Sequence, residues 1–528
     1  MCPVLVILML LRATNSAFTF PDEGSEGQEF VLAFPENIAY YYPFPPTNMV
    51  QITALHDNTQ VTIVQGSNTS NHMLSGGQSI DYILDAKLEF RRGSSPKSIL
   101  QINSNSSVLV NAIYLKNNSL QTSLVLPTNR LANEYFVPPV PDIEGTTLSP
   151  AIFTLNVTER RLFQLTIVNG RKQNTINFTG GDPSVSLEPY QVYQTGVPKG
   201  GAPRSLKADQ PVAVLFGHTC ANRINCTCGQ LVASLPPATD NPQKFYIPPS
   251  LLSGTEGSVL VSNRNKSEIK AFRADSPLVE TAGTVILYRP GLLLTLIPEK
   301  DFAACYRVNA IPDAQCFFHV VVHKNHSDGV HVGSDLLQNP NWEPLIGTDY
   351  ISTIVPLIEN KTVWHSSSTM AVYFVGEKKG AWFGNPAAVL GKAADSRGCA
   401  LSPDVVKIGE VPVGWRESLK YCQDQDLQLA CLPGDHDRRP IHEKILRATN
   451  GSLGDVWIGM RRSSQSGEWY WLNGAPVNDT NWGGGEPGVV DEGQCAMMSL
   501  DKSFGWSDRN CCEAARPFCY KGPVLFPL

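Results

Sequence analysis

The chain has 528 residues, and at about 150 residues per domain this length predicts three or four domains, each able to bury its own core. It contains 42 glycines and 39 prolines but only 17% charged residues, which disfavours a helical bundle or coiled coil and favours a turn-rich β protein. The formal charge of −6 leaves no excess of Lys and Arg for a phosphate backbone, so the composition argues against nucleic acid as a partner.

The first 17 residues are typical of a secretory signal peptide. An apolar run from Val4 to Leu11 is too short to cross a bilayer and is followed by small polar residues up to Ala17. The alternative for this run is a buried N-terminal strand. We expect a secreted, extracellular protein without a transmembrane anchor, because no later stretch is long and apolar enough.

The remaining cysteines and the glycosylation signals fit this compartment. Removal of Cys2 with the signal leaves twelve cysteines, an even number that suits disulfide pairing. Asn-x-Ser/Thr signals predict glycosylation at Asn68, Asn105, Asn117, Asn156, Asn177, Asn265, Asn325, Asn360, Asn450 and Asn478.

Two motifs recur along residues 18–384 with a common period. Strand-like starts occur in EFVLAFP, EYFVPPV, KFYIPPS and DYISTIVP, at Glu29, Glu134, Lys244 and Asp349, spaced 105, 110 and 105 residues apart. Apolar strands around Val108, Val212 and Val320 share the period, and the runs between them alternate like hairpins. The size of the period is typical of a β-sandwich.

We therefore predict an elongated row of sandwich-like modules in which Phe30, Phe136 and Phe245 start equivalent strands. The expected bounds are 18–128, 129–238, 239–342 and a partial module at 343–384, which is expected to complete an earlier module or to cap the array. The alternative is that strands recur at similar spacing in any all-β chain.

Several segments of this region resemble the N-terminal region of the IgG Fc-binding protein family. The resemblance is carried by GQEFVLAFPENIAYYYP, ANEYFVPPV, QPVAVLFGHTC and the Cys305/Cys316 pair. It implies an extracellular role in mucus or matrix. The von Willebrand-type repeats of that family do not occur in this sequence, so polymerisation and antibody binding are not implied.

Composition changes after residue 384. Residues 385–398 are small and aperiodic and predict a linker. Beyond them lie six of the nine tryptophans. A helical stripe at Trp415, Ser418, Leu419 and Cys422 predicts a helix, and a second helical pattern ends at Asn450-Gly451.

The segments WIGM, GEWYWLNGAPV, NWGGGEP, WSD and the final PFC resemble the C-type lectin family, over about residues 399–522, with a tail at 523–528. The predicted fold class is thus mainly β tandem sandwich-like modules followed by an α+β C-type lectin-like domain. The resemblance implies disulfides Cys422–Cys519 and Cys495–Cys511, and leaves Cys431 and Cys512 as a third pair. Pairing among the six cysteines from Cys220 to Cys399 stays open, with Cys305–Cys316 preferred for its short loop.

Sugar-binding members of that family hold Ca²⁺, which takes six to eight oxygen ligands. The resemblance places Glu486 and Asp508 at ligand positions, while Gly488, Gly493 and Ser507 replace other ligands. Glu492, or Asp491, could supply a third carboxylate after a loop shift. The candidate metal ligands are therefore Glu486, Glu492 and Asp508, and the alternative is that these are solvated loop acids. A sugar could instead stack on Trp482 or contact Asn478 or Asn481.

Other catalytic or metal-binding patterns are weak. His319 and His323 would share a strand face in FFHVVVHKNHSDGVHV, but a core or surface pair is the simpler interpretation. His442-Glu443 lacks the second histidine of a zincin, and no nucleophile elbow or phosphate-binding Gly-Lys loop occurs. We expect no enzyme activity.

Two function classes follow from the sequence. The first is extracellular recognition or adhesion, carbohydrate-binding at the family level but with a degraded Ca²⁺ and sugar site. The second is sugar-independent assembly with mucins or matrix proteins. The expected partners are glycans, glycoproteins, mucins or matrix proteins.

Overall fold

The computed structural model is mostly β-sheet, as the composition predicts. The described residues are 24–38, 45–90, 99–143, 162–179, 183–200, 202–224, 227–252, 257–432, 434, 441–442, 445, 454–477, 481–489, 493–500 and 504–527. Within these ranges no helix combines the length and the apolar character that a membrane span requires. Short 3₁₀ helices occur at Ala86–Leu88, Thr128–Arg130, Pro249–Leu251, Glu299–Asp301 and Lys324–Gly329. The expected signal peptide lies outside the described residues.

The first set of strands is built around one long strand. The strands are β1 (Gly27–Leu32), β2 (Phe34–Pro35), β3 (Met49–Ala54), β4 (Thr59–Gln65), β5 (Asn68–Leu74), β6 (Ser79–Ile83), β7 (Glu89–Phe90), β8 (Leu100–Lys116) and β9 (Ser119–Val125). Strand β8 pairs with β1 and β4 along its first half and with β3 and β9 along its second half. Side chains from both halves, such as Phe30 and Val50, belong to one apolar cluster.

The second set repeats this plan. Its strands are β10 (Ala132–Phe136), β11 (Phe163–Asn169), β12 (Asn174–Phe178), β13 (Val185–Leu187), β14 (Val192–Val197), β15 (Ser205–Ile224) and β16 (Thr227–Ser234). The order β13-β12-β15-β11-β14 matches β5-β4-β8-β3-β6, and β10 and β16 pair with β15 as β1 and β9 pair with β8. A register shift follows Gly27 in β1 and Ala132 in β10. When residues are counted from that shift, Tyr135 of β10 is equivalent to Phe30 of β1. The prediction that Phe136 is equivalent to Phe30 is therefore wrong by one residue.

The third set is a shortened version. Its strands are β17 (Gln243–Tyr246), β18 (Ser258–Ser262), β19 (Ser267–Ala271), β20 (Leu278–Thr281), β21 (Thr284–Arg289) and β22 (Leu292–Thr295). The pair β17-β20 corresponds to β1 with the first half of β8, and the order β19-β18-β21-β22 to β6-β3-β8-β9. Among the described residues of this set, no hairpin corresponds to β4 and β5.

The fourth set is complete, and its long strand is divided in two. Its strands are β23 (Cys305–Val308), β24 (Gln315–His323), β25 (Val330–Val332), β26 (Asp335–Leu336), β27 (Glu343–Pro344), β28 (Tyr350–Leu357), β29 (Lys361–His365), β30 (Met370–Lys378), β31 (Ala381–Pro386) and β32 (Ala388–Gly391). They form the sheets β26-β25-β29-β23-β32 and β27-β28-β24-β30-β31. Because β23 pairs with β29, the expected boundary at 342–343 cuts through a sheet, and residues 343–384 complete this set of strands.

A buried tyrosine marks the same corner in two of these repeats. Tyr135 accepts from the Ala132 N–H at 2.9 Å and donates to the Val212 carbonyl at 2.6 Å. Tyr306 accepts from the Ala303 N–H at 3.0 Å and donates to the Met370 carbonyl at 2.7 Å. Burial raises the pKa of both phenols, that of Tyr135 to about 12, so both stay protonated as donors.

In each repeat the strand that directly follows the long strand, which we call the closing strand, takes part in a ring. Strand β9 packs against β16 and β31, and β22 packs against the same two strands. Buried Gln121 donates from Nε2 to the carbonyls of Gly291 and Trp382, at 3.1 and 2.9 Å, which joins the first repeat to the third and fourth. The expected elongated row is therefore wrong, because the fourth repeat returns to the first.

The predicted linker is also partly wrong. Residues 385–391 belong to β31 and β32, and Cys399 is bonded to Cys305 of β23. Arg397 donates to Asp395 at 2.7 Å and to the Tyr520 hydroxyl at 2.9 Å. The connection to the C-terminal domain is therefore anchored at both ends.

The C-terminal domain contains one described α-helix and a mixed sheet. The elements are β33 (Ala400–Ser402), β34 (Val405–Ile408), α1 (Trp415–Gln423), β35 (Gln428–Leu429), β36 (Val456–Arg462), β37 (Trp469–Trp471), β38 (Cys495–Met498), β39 (Trp506–Arg509), β40 (Arg516–Lys521) and β41 (Val524–Leu525). Helix α1 buries Trp415, Ser418 and Cys422, as the helical spacing predicts. Most of the second predicted helix lies outside the described residues. The predicted tail is not free, because β41 pairs with β33 and Phe526 is buried.

Four disulfides are formed among the described cysteines. The bonds Cys422–Cys519 and Cys495–Cys511 are those that the lectin resemblance implies, and Cys220–Cys228 and Cys305–Cys399 are the others. The remaining described cysteines are free thiols: Cys316, Cys431 and Cys512.

Both other expected pairs are therefore wrong. Cys316 lies on β24, in a different sheet from Cys305, whereas β32 runs beside Cys305 and leads to Cys399. Cys431 packs with its Sγ 3.6 Å from the Gly459 carbonyl, while Cys512 is exposed.

Candidate functional site

The candidate site lies where the loop 481–489 meets the hairpin of β38 and β39. The Trp506 N–H donates to the Asn481 carbonyl at 2.7 Å, and the Gly483 N–H donates to the Trp506 carbonyl at 2.8 Å. These bonds fix the start of the loop against β39. Ala496 of β38 pairs with Asp508 of β39, and this pairing fixes the backbone position of Asp508.

Glu486 and Asp508 are brought together, as the sequence predicts for two ligand positions. The Asp508 N–H donates to Glu486 Oε2 at 3.3 Å, and the Gly488 N–H donates to Asp508 Oδ1 at 2.9 Å. Asp508 is only 4% exposed. Its Oδ2 is buried and has no hydrogen-bond partner.

Arg509 supplies the positive charge at this point. Its Nη1 donates to Glu486 Oε1 at 3.0 Å and to the Asp508 carbonyl at 2.7 Å. Arg509 is not among the predicted site residues, because the lectin resemblance points only to oxygen ligands. A basic residue directly after Asp508, in the run WSDR, was the available signal.

The pKa of Asp508 is lowered from its usual value. Burial alone acts in the opposite direction, but the hydrogen bond from the Gly488 N–H favours the ionised form, and Arg462 adds attraction. The carboxylate is therefore held as an anion inside a network of donors.

The described residues do not fit a Ca²⁺ ion. Ca²⁺ takes six to eight oxygens at 2.3–2.6 Å in known sites. Both oxygens of Glu486 and Oδ1 of Asp508 already accept hydrogen bonds, and a guanidinium lies against Glu486. No cluster of three potential metal-ligating residues occurs in the described part of the chain. Glu492 and Asp491 lie outside the described residues.

Gly493 cannot take an acidic side chain without movement. A Cβ at this position would lie 2.5 Å from the backbone nitrogen of Arg509. Atoms this close clash, so the chain passes β39 only because residue 493 is glycine. One of the expected ligand positions is therefore closed by backbone packing.

Aromatic rings line the other side of the loop. Trp482 is half-buried, with its ring centroid 4.9 Å from that of Trp469 and 5.9 Å from that of Trp506. The side-chain nitrogen of Asn481 donates to the Phe504 carbonyl at 2.7 Å. Asn481 therefore orders the loop, and Asn478 lies outside the described residues.

Of the two predicted histidines of the fourth repeat, only His319 lies in the core. His319 is buried, its Nδ1 lies 3.1 Å from Ser250 Oγ, and burial followed by the charge of Arg289 lowers its pKa to about 3. His323 is half-buried and accepts from the Asn325 N–H at 3.3 Å. The neutral imidazole of His319 is thus part of the packing.

Two family models match separate parts of the chain. The model described as lectin C-type domain matches residues 411–521, and the model described as IgGFc binding protein matches residues 121–288. The second match runs from β9 to β21, across the second repeat and most of the third.

The curated relatives divide in the same way. Human C-type mannose receptor 2 is 28% identical over 111 residues, which are 21% of this chain and 7% of the receptor. C-type lectin lectoxin-Phi1 of Philodryas olfersii is 29% identical over 109 residues, 20% of this chain and 69% of that protein. Human IgGFc-binding protein is 28% identical over 366 residues, 61% of this chain and 7% of that protein. The chain thus spans a small fraction of the two large relatives.

Solved structures align with about a fifth of the chain. Human lithostathine is 23% identical, and the alignment covers 22% of this chain and 90% of the lithostathine chain, with a TM-score of 0.21. The carbohydrate-recognition domain of the mouse scavenger receptor C-type lectin is 24% identical. The alignment covers 23% of this chain and 91% of that domain's chain, with a TM-score of 0.21. With the two family models and these relatives, the chain joins a region homologous to the IgGFc-binding protein to a C-type lectin domain.

Proposed function

We propose that this chain is an extracellular recognition or adhesion protein whose lectin domain contacts glycans without the Ca²⁺ coordination usual in its family. The observation that carries this proposal is the bond between Arg509 and Glu486. A fixed cation replaces the charge that a metal would supply, and it occupies a carboxylate that vicinal sugar hydroxyls would need.

The half-buried Trp482 offers an alternative contact for a sugar face. Its ring is held between Trp469 and Trp506, so little side-chain entropy is lost when a ligand stacks on it. Loops on a disulfide-braced scaffold are the usual location of recognition residues. The names of the relatives, a mannose receptor and lectins, favour glycans as the ligand class.

A glycan array with the full-length secreted protein tests this proposal. We expect the same glycans to be bound in Ca²⁺ and in chelator, and the melting temperature to be unchanged by either. Trp482→Ala should weaken binding at least tenfold, whereas Trp342→Ala, a half-buried tryptophan of the fourth repeat, should leave it unchanged. Binding that chelator abolishes would contradict the proposal.

A second candidate is sugar-independent assembly with mucins or matrix proteins. It is favoured by apolar side chains that the lectin domain exposes, Tyr470 at 39%, Leu472 at 37% and Val489 at 66%. If the array shows no glycan binding and Tyr470→Ser abolishes capture of purified mucin, this candidate replaces the first.

We also infer that each repeat is a β-sandwich folded around its long strand and that the chain is secreted and glycosylated. The shared strand order supports the first inference. The seven described acceptor asparagines are all exposed, which supports the second: Asn68, Asn105, Asn117, Asn177, Asn265, Asn325 and Asn360. The other three acceptors lie outside the described residues. Mass spectrometry before and after deglycosylation tests occupancy.

A further inference from the structure

A cavity of about 220 Å³ opens where the four closing strands of the repeats end. We call it the ring cavity. Its wall contains residues from the end of each of these strands: Leu124 of β9 and Leu126 after it, Leu235 after β16, Leu296 and Ile297 after β22, and Pro386 of β31.

The repeats themselves create this wall. In the first three repeats the closing strand is followed by one or two aliphatic residues and then a proline, in Leu126-Pro127, Leu235-Pro236 and Leu296-Ile297-Pro298. Proline ends strand pairing because it lacks an N–H, so the chain turns away at the same point each time. Ring closure then gathers the aliphatic residues around one opening.

The cavity is preformed by hydrogen bonds between strands of different repeats. Ser234 Oγ donates to the Leu124 carbonyl at 3.1 Å, and Thr295 Oγ1 donates to the Ser234 carbonyl at 2.9 Å. Leu235 and Leu296 are each 3% exposed and are fixed in the surrounding core. A rigid apolar wall of this kind binds ligands without an ordering cost.

The charge around the cavity favours an uncharged ligand. Among its described lining residues, only Asp301 and Lys392 are charged, and they are 3.4 Å apart. Their charges cancel, so neither an anionic nor a cationic head group gains a net partner at the opening. The remaining polar lining residues are neutral hydroxyl and amide side chains, such as Thr295 and Asn385.

We propose that the ring cavity binds the aliphatic chain of an uncharged amphiphile, such as a fatty alcohol, with about eight or nine carbons in the cavity. The size follows from comparison with a dry cavity of about 150 Å³, which holds the six carbons of benzene. The hydroxyl lies at the opening, among the neutral polar groups. This site is separate from the lectin domain, so its test is independent of glycan binding.

Calorimetric titration of the full-length protein with 1-octanol tests the proposal. We expect 1-octanol to bind at least tenfold more tightly than 1-butanol, octanoate or octylammonium. Leu126→Trp, which places a large ring in the cavity, should weaken 1-octanol binding at least tenfold. Leu336→Trp, at an exposed leucine of β26, is the matched control and should leave binding unchanged.

Unchanged far-UV circular dichroism shows whether Leu126→Trp is folded, and the chain-length and head-group series with the unmodified protein does not depend on that variant. No heat of binding up to the solubility of 1-octanol would overturn the proposal. Tighter binding of octanoate, lost in Lys392→Met, would overturn the uncharged head group and assign an anionic ligand. Equal weakening by both tryptophan variants would place the alcohol elsewhere.

Discussion

Arg509 donates to Glu486 Oε1 and to the Asp508 carbonyl, so that a guanidinium and two carboxylates form one network beside the loop 481–489. The Arg509 side chain is 37% exposed, and an ion pair of this exposure adds at most about 1 kcal/mol to stability. Its main effect is on which ligand binds, because the guanidinium competes with any divalent cation for Glu486. Unlike a metal ion, the guanidinium is covalently attached and does not dissociate when the protein is diluted.

Asp508 gives a pH-dependent prediction. Because its pKa in the folded protein lies below the unfolded value of about 3.9, the carboxylate stabilises the fold fully above that pH and loses this effect as pH falls through the folded pKa. Asp508→Asn should lower the free energy of unfolding by about 1–3 kcal/mol at pH 7, since the Gly488 N–H loses a charged acceptor. Urea titrations at pH 7 and pH 3 should show the difference shrinking at acid pH.

Asp426→Asn is the control for this experiment. Asp426 pairs with Lys521 at 3.1 Å but is 95% exposed, so its replacement should change stability by less than about 0.5 kcal/mol at either pH. An Asp508→Asn penalty that stays constant between pH 7 and pH 3 would contradict the ionised network.

Strand pairing fixes the disulfide that encloses the fourth repeat. Strands β23 and β32 run side by side, and Cys399 follows β32 closely enough to meet Cys305. The bond closes a separation of 94 residues, so Cys399→Ser should cost about 2–5 kcal/mol. Thermal denaturation measures the loss.

Peptide mapping without reduction separates this pairing from the short-loop alternative. In Cys316→Ala the peptide linking Cys305 and Cys399 should persist, because Cys316 is a free buried thiol. If Cys305 forms no disulfide in that variant, the result would support the Cys305–Cys316 pairing instead.

Strand β41, at the end of the C-terminal domain, gives a second prediction about a single element. Phe526 follows β41 and packs against Leu55, Leu109 and Leu390 of the repeats, 2% exposed. Phe526→Ala should cost about 3–5 kcal/mol because it opens a cavity between the two regions. Its neighbour Leu525 is 38% exposed, and Leu525→Ala should change stability by about 0.5 kcal/mol or less. Equal effects of the two variants in thermal denaturation would show that the tail is not docked.

Local patterns predicted individual elements better than their long-range partners. The stripe from Trp415 to Cys422 predicted α1, and the start motifs at Glu29 and Glu134 lie in equivalent strands. The period of the start motifs failed after the third start, because the third repeat is short and the fourth begins near Ala303, so that the start predicted at Asp349 precedes β28 and not a first strand. The Arg509 contact and the Cys305–Cys399 bond depend on residues that folding brings together, and spacing alone does not encode them.

At the scale of the whole molecule, ring closure links repeats that are far apart in sequence. Each repeat contributes one closing strand, and every such strand packs between two others. Apolar clusters also cross the repeat boundaries, since Leu215 and Val232 of the second repeat pack with the core of the first. The repeats should therefore lose their protection against amide hydrogen exchange together, and not one repeat at a time.

Gln121 tests this coupling, because its amide joins the first repeat to the third and fourth at the carbonyls of Gly291 and Trp382. Gln121→Ala leaves both carbonyls without this donor and should lower the free energy of unfolding by about 1–3 kcal/mol. Hydrogen exchange measured by mass spectrometry should show faster exchange in β22 and β31, although the substitution lies in β9. Gln60→Ala, at an exposed position of β4, should leave these peptides unchanged. Faster exchange confined to the first repeat in Gln121→Ala would mean that the ring is not a cooperative unit, because loss of a closing contact must reach the strands on its other side.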